Sequence, residues 1–173
     1  DWYMQPLGWP ERSAAYVDGA CALFIDAASL ALGKAGLKAS EIDTVVTVSS
    51  TGITTPSLDA RVAGEMGFKA GVERVPVFGL GCAGGVSGLS FAARLAQSRP
   101  GANVLLVAVE TCTLSFRSDQ LTKANVVATA LFGDGAAALV LRADDNGVAE
   151  IESTAQYTWP DTLDIMGWSV DAE

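Results

Sequence analysis

The stretch Val75-Pro-Val-Phe-Gly-Leu-Gly-Cys-Ala-Gly-Gly-Val-Ser-Gly-Leu89 joins an apolar, β-rich run to a glycine turn and the beginning of a helical pattern. The apolar run ends at Leu80, Gly81 allows a sharp turn, and the helical pattern continues from Ala83 to about Gln97. A strand that leads directly into a helix is the repeating unit of α/β domains. This stretch therefore predicts the α/β fold class.

Cys82 lies at the turn of this strand–helix unit. At the first turn of a helix, unpaired N–H groups and the positive end of the helix dipole favour a thiolate. The small residues 83–85 leave room for a substrate to reach the sulfur, so the pattern indicates a nucleophilic cysteine. A small apolar cysteine that fills a strand–helix junction fits the same residues. The sequence pattern alone leaves both interpretations open.

Helical and strand patterns alternate along the rest of the chain. Helices are predicted at residues 13–35, 58–66, 83–97 and 124–131, and strands at residues 42–49, 75–80, 103–109, 136–141 and 148–154. The order α-β-α-β-α-β-α-β-β predicts a three-layer α/β/α domain with a mostly parallel sheet.

Composition and charge exclude several classes of protein. A chain of 173 residues, half of them hydrophobic and only 18% charged, can bury one α/β core and is not disordered. The net charge of −9 argues against a nucleic-acid partner. We also expect no membrane partner, because no apolar run has the length of a membrane span. Three cysteines without paired spacing favour a reducing compartment, so we expect a cytoplasmic protein.

The chain contains no histidine, the commonest partner of a nucleophilic cysteine. If Cys82 performs acyl chemistry, part of the catalytic machinery therefore lies outside these residues. A metal site is not expected, since Cys21, Cys82 and Cys112 lack the spacing of zinc ligands.

Several stretches in a fixed order carry a resemblance to a known family. They are Val46–Asp59, Gly81–Gly85, Glu110–Arg117, Ala130–Leu139 and the tail Trp159–Trp168. In these stretches the chain resembles type III polyketide synthases, the chalcone and stilbene synthase-like enzymes, and its tail is similar to that of bacterial members.

The resemblance implies a thiolase-like fold, in which two similar α/β/α halves each contain a mixed five-stranded sheet. Residues 1–156 would form the first half without its opening edge strand, and residues 157–173 would begin the crossing to an absent second half. The implied activity is that of an acyltransferase. It loads a starter acyl group from coenzyme A on Cys82 and extends it by decarboxylative Claisen condensation with malonyl-CoA. Coenzyme A thioesters are the substrates, and no further cofactor is implied.

The resemblance also assigns roles to individual positions. Ser50, Cys112 and Ser115 match positions that line the reaction cavity, and Phe132 matches a gatekeeper phenylalanine between the coenzyme A tunnel and that cavity. From the residues alone, Phe132 is an ordinary buried aromatic, Cys112 is a buried spacer after a strand, and Cys21 lies in the core.

Thr55 and Pro56 match a loop that crosses the interface of a homodimer, with a cis peptide before the proline. The residues alone favour a trans proline before a helix cap. In the family, a histidine and an asparagine of the second half complete the active site, so this chain by itself is expected to be inactive.

Three alternative functions remain open at this point. The chain could be a catalytically incomplete half domain that dimerises or binds acyl-CoA, or an initiating β-ketoacyl-ACP synthase. A redox protein that uses Cys82 and Cys112 is the third, although no Cys-x-x-Cys pair supports it.

Overall fold

Four helices and four strands alternate along Gln5 and residues 7–168, which are the residues that the computed structural model describes. The helices are α1 (Trp9–Ala35), α2 (Leu58–Met66), α3 (Gly84–Ser98) and α4 (Lys123–Leu131), and the strands are β1 (Thr44–Val48), β2 (Glu73–Val77), β3 (Val104–Thr111) and β4 (Asp134–Leu141). The predicted α/β class and the order of these eight elements are confirmed.

The strands form one mixed sheet in the order β2-β1-β3-β4. Strand β1 pairs in parallel with β2 and β3, whereas β4 is antiparallel to β3. The sheet is therefore mostly parallel, as predicted. Because β1, β2 and β3 run in the same direction, the residues that follow them meet at one edge of the sheet, where α/β proteins usually bind ligands.

Both faces of the sheet are covered by helices. Alternate residues of β3 point to opposite faces, so that Leu105 and Val107 pack with α1 and α2 while Leu106 packs with α3. Phe24 of α1 is fully buried in the first of these cores. This arrangement gives the expected three layers.

Helix α3 lies close to the sheet because two of the residues that it turns toward β1 are glycines. A Cβ atom at Gly84 would come within 2.7 Å of Val48, and one at Gly88 within 2.6 Å of the same valine. These glycines let the beginning of α3 rest directly on β1, which fixes the position of the turn before it.

The predicted strand at residues 148–154 is wrong. This segment is irregular and lies along α3, where Ser90 Oγ donates to Thr154 Oγ1 at 2.8 Å and Gln156 Nε2 donates to Ser87 Oγ at 2.6 Å. Ile151 packs against the α3 core. A segment of alternating polarity thus makes its apolar and polar contacts with a helix instead of a sheet.

Helix α1 differs from the sequence prediction in three respects. It begins at Trp9 rather than Ser13, because Pro10 suits the first helical turn and Glu11 Oε2 accepts the N–H of Gly8 at 3.1 Å. It is also long and apolar enough to cross a membrane, although its buried face contacts the sheet and we interpret it as a core helix. Finally, Cys21 packs against the core as predicted but is only half-buried, and this burial is the largest of the causes that raise the pKa of its thiol.

Candidate active site

Cys82 follows β2 in a short 3₁₀ turn, Gly81–Ala83, and α3 begins immediately afterwards at Gly84. Gly79 and Gly81 have φ angles of 84° and 52°, a left-handed conformation that favours glycine. The Cys82 side chain is exposed. The structure therefore places this thiol just before the helix, at the edge of the sheet where the parallel strands end.

Ser50 holds the Cys82 turn in place. It is buried after β1, and its Oγ accepts a hydrogen bond from the Gly81 N–H at 3.2 Å. The Ser50 N–H in turn donates to both carboxylate oxygens of Glu110, each at 3.0 Å. These bonds join the ends of β1, β2 and β3 around Cys82.

Glu110 is the central acceptor of this network, and sequence reasoning assigned it no role. Thr51 Oγ1 donates to its carboxylate at 2.8 Å, and the Thr111 N–H donates to Thr51 Oγ1 at 2.9 Å. In the sequence, Glu110 follows the predicted strand at residues 103–109 and begins the Glu110–Arg117 stretch of the family resemblance. The Glu110 carboxylate thus places a negative charge beside the turn that carries the Cys82 thiol.

Cys112 and Ser115 share a 3₁₀ turn after β3, Cys112–Ser115, and Ser115 Oγ donates to the Cys112 carbonyl at 2.7 Å. Burial of the Cys112 thiol raises its pKa the most, and electrostatic repulsion from the nearby Glu110, Asp134 and Cys82 raises this pKa further. Cys112 therefore lies in the same electrostatic neighbourhood as Cys82, whereas Ser115 is exposed.

Asp134 connects that turn to the last strand. Its carboxylate accepts the Thr113 N–H at 2.8 Å and Thr113 Oγ1 at 2.6 Å. Phe132 lies two residues earlier, at the end of α4, and 43% of its surface is exposed, so the expectation of a buried aromatic is wrong. The structure thus brings Ser50, Cys82, Cys112 and the neighbourhood of Phe132 to one edge of the sheet.

Thr55 and Pro56 lie on the exposed loop between β1 and α2, and the peptide bond that joins them is cis. This geometry agrees with the expectation from the family resemblance and not with the trans bond that the residues alone favoured. Among the described residues, no group of three or more His, Cys, Asp or Glu side chains is placed to hold a metal ion.

Comparisons with known proteins define the family. The profile for the N-terminal domain of chalcone and stilbene synthases matches residues 9–145. The chain is 44% identical over 167 residues to 1,3,6,8-tetrahydroxynaphthalene synthase of Streptomyces peucetius subsp. caesius, covering 94% of this chain and 44% of that protein. It is 33% identical over 154 residues to phloroglucinol synthase of Pseudomonas fluorescens, covering 88% of this chain and 44% of that protein.

Solved structures agree with this result. The crystal structure of 1,3,6,8-tetrahydroxynaphthalene synthase from Streptomyces coelicolor A3(2), a bacterial type III polyketide synthase, matches with a TM-score of 0.93 and 33% identity over 98% of this chain and 49% of that one. The chain belongs to the chalcone and stilbene synthase family and has its thiolase-like fold. It spans about half the length, or less, of these relatives.

Proposed function

We propose that this chain is part of a type III polyketide synthase, an acyltransferase in which Cys82 carries the growing acyl chain. The observation that carries this proposal is the position of Cys82, an exposed thiol at the edge of the sheet where β1, β2 and β3 end. The hydrogen bonds among Glu110, Ser50 and Gly81 hold the turn that carries Cys82, which favours a constant orientation of the thiol toward the substrate carbonyl.

Loading begins when the Cys82 thiolate attacks the carbonyl carbon of a starter acyl-CoA. The C–S bond to coenzyme A then breaks, coenzyme A leaves as its thiolate, and the acyl group remains on Cys82. A cysteine suits this step because the thiolate is a strong nucleophile and, later, a good leaving group.

Extension uses malonyl-CoA as the second substrate. Loss of CO₂ leaves an enolate of acetyl-CoA, which attacks the carbonyl of the Cys82 thioester. A C–C bond forms, the C–S bond to Cys82 breaks, and the chain leaves as a β-ketoacyl-CoA that can be loaded again. Preorganised hydrogen-bond donors must stabilise the enolate oxygen.

The groups that donate to the enolate and pair with the thiolate are not among these 173 residues, which include no histidine. In the family, a histidine and an asparagine of the second half perform these tasks. We propose that this second half packs on the apolar surface of α4 and the tail, where Leu131 and Trp159 are 73% and 66% exposed. The 173-residue chain alone would then be unable to extend an acyl chain.

Ser50, Cys112, Ser115 and Phe132 are proposed to line the cavity that holds the growing polyketide. This role is supported by their position, because all four residues lie at the same edge of the sheet. The exposed Thr55–Pro56 loop is proposed to reach the cavity of a second copy in a homodimer. The three free cysteines fit a cytoplasmic enzyme.

Intact mass spectrometry tests the proposal directly. The full-length protein is incubated with a panel of acyl-CoA thioesters, and we expect a single acyl adduct that maps to Cys82. Cys82→Ala is expected to abolish this adduct without unfolding the protein, because the substitution removes one exposed sulfur atom. Cys112→Ala is the matched control, and its adduct on Cys82 should persist.

An adduct that survives Cys82→Ala would contradict the assignment of the nucleophile. Extension from malonyl-ACP but not from malonyl-CoA would indicate an initiating ketosynthase instead. Turnover of malonyl-CoA by the isolated 173 residues would show that no second half is needed.

A further inference from the structure

The loop of residues 53–56 presents an exposed tip to solvent. Ile53 is 50% exposed, and Thr55 and Pro56 are exposed beside it. Exposed loops in general are mobile and are held by few contacts. The base of this loop, in contrast, is held by charged side chains from two different elements.

The first anchor is Asp59, in the first turn of α2. Its carboxylate is completely buried, and its Oδ2 accepts from Ser57 Oγ at 3.1 Å and from Arg74 Nη1 at 3.2 Å. Arg74 also donates to Ser57 Oγ at 3.2 Å. Because Arg74 belongs to β2, this cluster ties the end of the loop to the strand that leads to Cys82.

The second anchor is Arg61, two residues further along α2. Its Nε donates to Thr54 Oγ1 at 3.0 Å and to the Pro56 carbonyl at 2.9 Å. Thr54 Oγ1 donates to the same carbonyl at 3.2 Å. The loop is therefore held on both sides of Thr55, at the Thr54 side chain and at the Pro56 carbonyl.

Stability alone does not explain a completely buried carboxylate at this place. Only the Asp59 carboxylate is buried, since 45% of the Arg74 side chain is exposed, and the desolvation of that carboxylate offsets part of its attraction to Arg74. The Oδ1 atom of Asp59 is also buried without a hydrogen-bond partner among the described residues, which adds to this cost. What the pair does supply is a single conformation of the groups that it joins.

We propose that Asp59 and Arg74 are positioning residues that, together with Arg61, fix the 53–56 loop for its contact with a second copy of this chain. This inference rests on the proposed function, in which Thr55 faces the partner's cavity. A displaced loop would change the volume of that cavity, and therefore the number of extensions, without changing the chemistry at Cys82.

The test uses the full-length protein with the double substitution Asp59→Asn and Arg74→Gln. The double variant removes both charges together, because Arg74→Gln alone would leave the buried Asp59 carboxylate without its cation, which could unfold the protein. We expect the rate of acyl loading on Cys82 to stay within about twofold of wild type, while the ratio of longer to shorter polyketides changes at least about threefold. Arg74→Lys keeps the charge and should restore most of the original ratio.

Arg99→Gln is the matched control, because it breaks an exposed ion pair with Glu73 on the same strand. It should leave both loading and product ratio unchanged. A folded double variant with the wild-type product ratio would overturn the proposal.

Amide hydrogen exchange of the peptide covering residues 51–57 separates this proposal from the proposed function. We expect exchange to accelerate at least about tenfold in the double variant and to stay unchanged in Arg99→Gln. Equal exchange in all three proteins would overturn the positioning role even if no polyketide formed. A wild-type protein without acyl adducts would refute the proposed function, and the exchange data would still decide the role of Asp59 and Arg74.

Discussion

Two regions of this molecule differ in how completely their apolar side chains are covered. On the face of the sheet that carries α1 and α2, Phe24, Leu105 and Val107 are buried completely. On α4 and in residues 157–168, the large apolar side chains are largely exposed: Val126, Val127, Leu131, Tyr157, Trp159, Leu163, Ile165, Met166 and Trp168. The first region is a finished core, and the second is a surface rich in apolar groups.

The difference separates the residues that stabilise the fold from the residues of the candidate site. The covered core holds the strands in register, and this register brings Ser50, Gly81 and Glu110 together. The thiol of Cys82 and the ring of Phe132 are exposed as well. We propose that this stable core supports a site whose remaining walls come from the second half of the protein.

The largest expected effect comes from truncating the core. Phe24→Ala should lower the free energy of unfolding by about 3–5 kcal/mol, because it removes a fully buried ring and leaves a cavity. Leu131→Ala in the open region should cost less than about 0.5 kcal/mol, since that side chain is already mostly exposed. Urea unfolding followed by circular dichroism compares the two. Similar losses would mean that α4 contributes to the core after all.

The cysteines give a chemical measure of the same contrast. At pH 8, iodoacetamide should modify Cys82 at least about tenfold faster than Cys112, because Cys82 is exposed and Cys112 is half-buried. The raised pKa of Cys112 keeps its thiol protonated at pH values where an ordinary cysteine ionises, so its rate should still be rising above pH 9.0.

Peptide mapping after timed alkylation measures the three rates. The chain unfolded in urea is the control, since Cys21, Cys82 and Cys112 should then react at similar rates. If Cys112 reacts as fast as Cys82 in the folded protein, Cys112 is as exposed as Cys82 and the contrast between the two thiols is wrong.

The smallest effect concerns the hydrogen bond between the buried Ser50 and the turn that carries the exposed Cys82. Ser50→Ala removes the acceptor for the Gly81 N–H, and we expect the acyl-loading rate of Cys82 to fall about threefold, the equivalent of one ordinary hydrogen bond. Ser50→Thr retains an Oγ atom and should load at nearly the wild-type rate. Stopped-flow release of coenzyme A follows the reaction. Equal loading rates for Ser50→Ala and the wild-type protein would show that the turn keeps its conformation without this hydrogen bond.

Local signals explain which elements could be predicted from the sequence. Helix α2 was predicted with the correct bounds, because Ser57 precedes it and Gly67 ends it with a φ of 75°. The segment 148–154 was wrongly predicted as a strand, because alternation between polar and apolar residues does not distinguish contact with a sheet from contact with α3. Local chemistry fixes an element's ends, whereas its partner depends on the rest of the fold.

The same distinction applies to the site. The position of Cys82 in a strand–helix turn could be predicted because the strand, the glycines and the thiol are contiguous in the chain. The role of Glu110 could not, because Ser50 is 60 residues away from it and 31 residues away from Gly81. Only the pairing of β1 with β2 and β3 makes these three residues neighbours.

The sequence by itself therefore determined the α/β class, the order of eight elements and the position of the thiol, since each depends on residues close together in the chain. The tertiary structure alone decided the Glu110–Ser50–Gly81 network, the Asp59–Arg74 pair and the division between a finished core and an open apolar surface. These features depend on strand register and burial, which arise when distant segments pack and which no local pattern encodes.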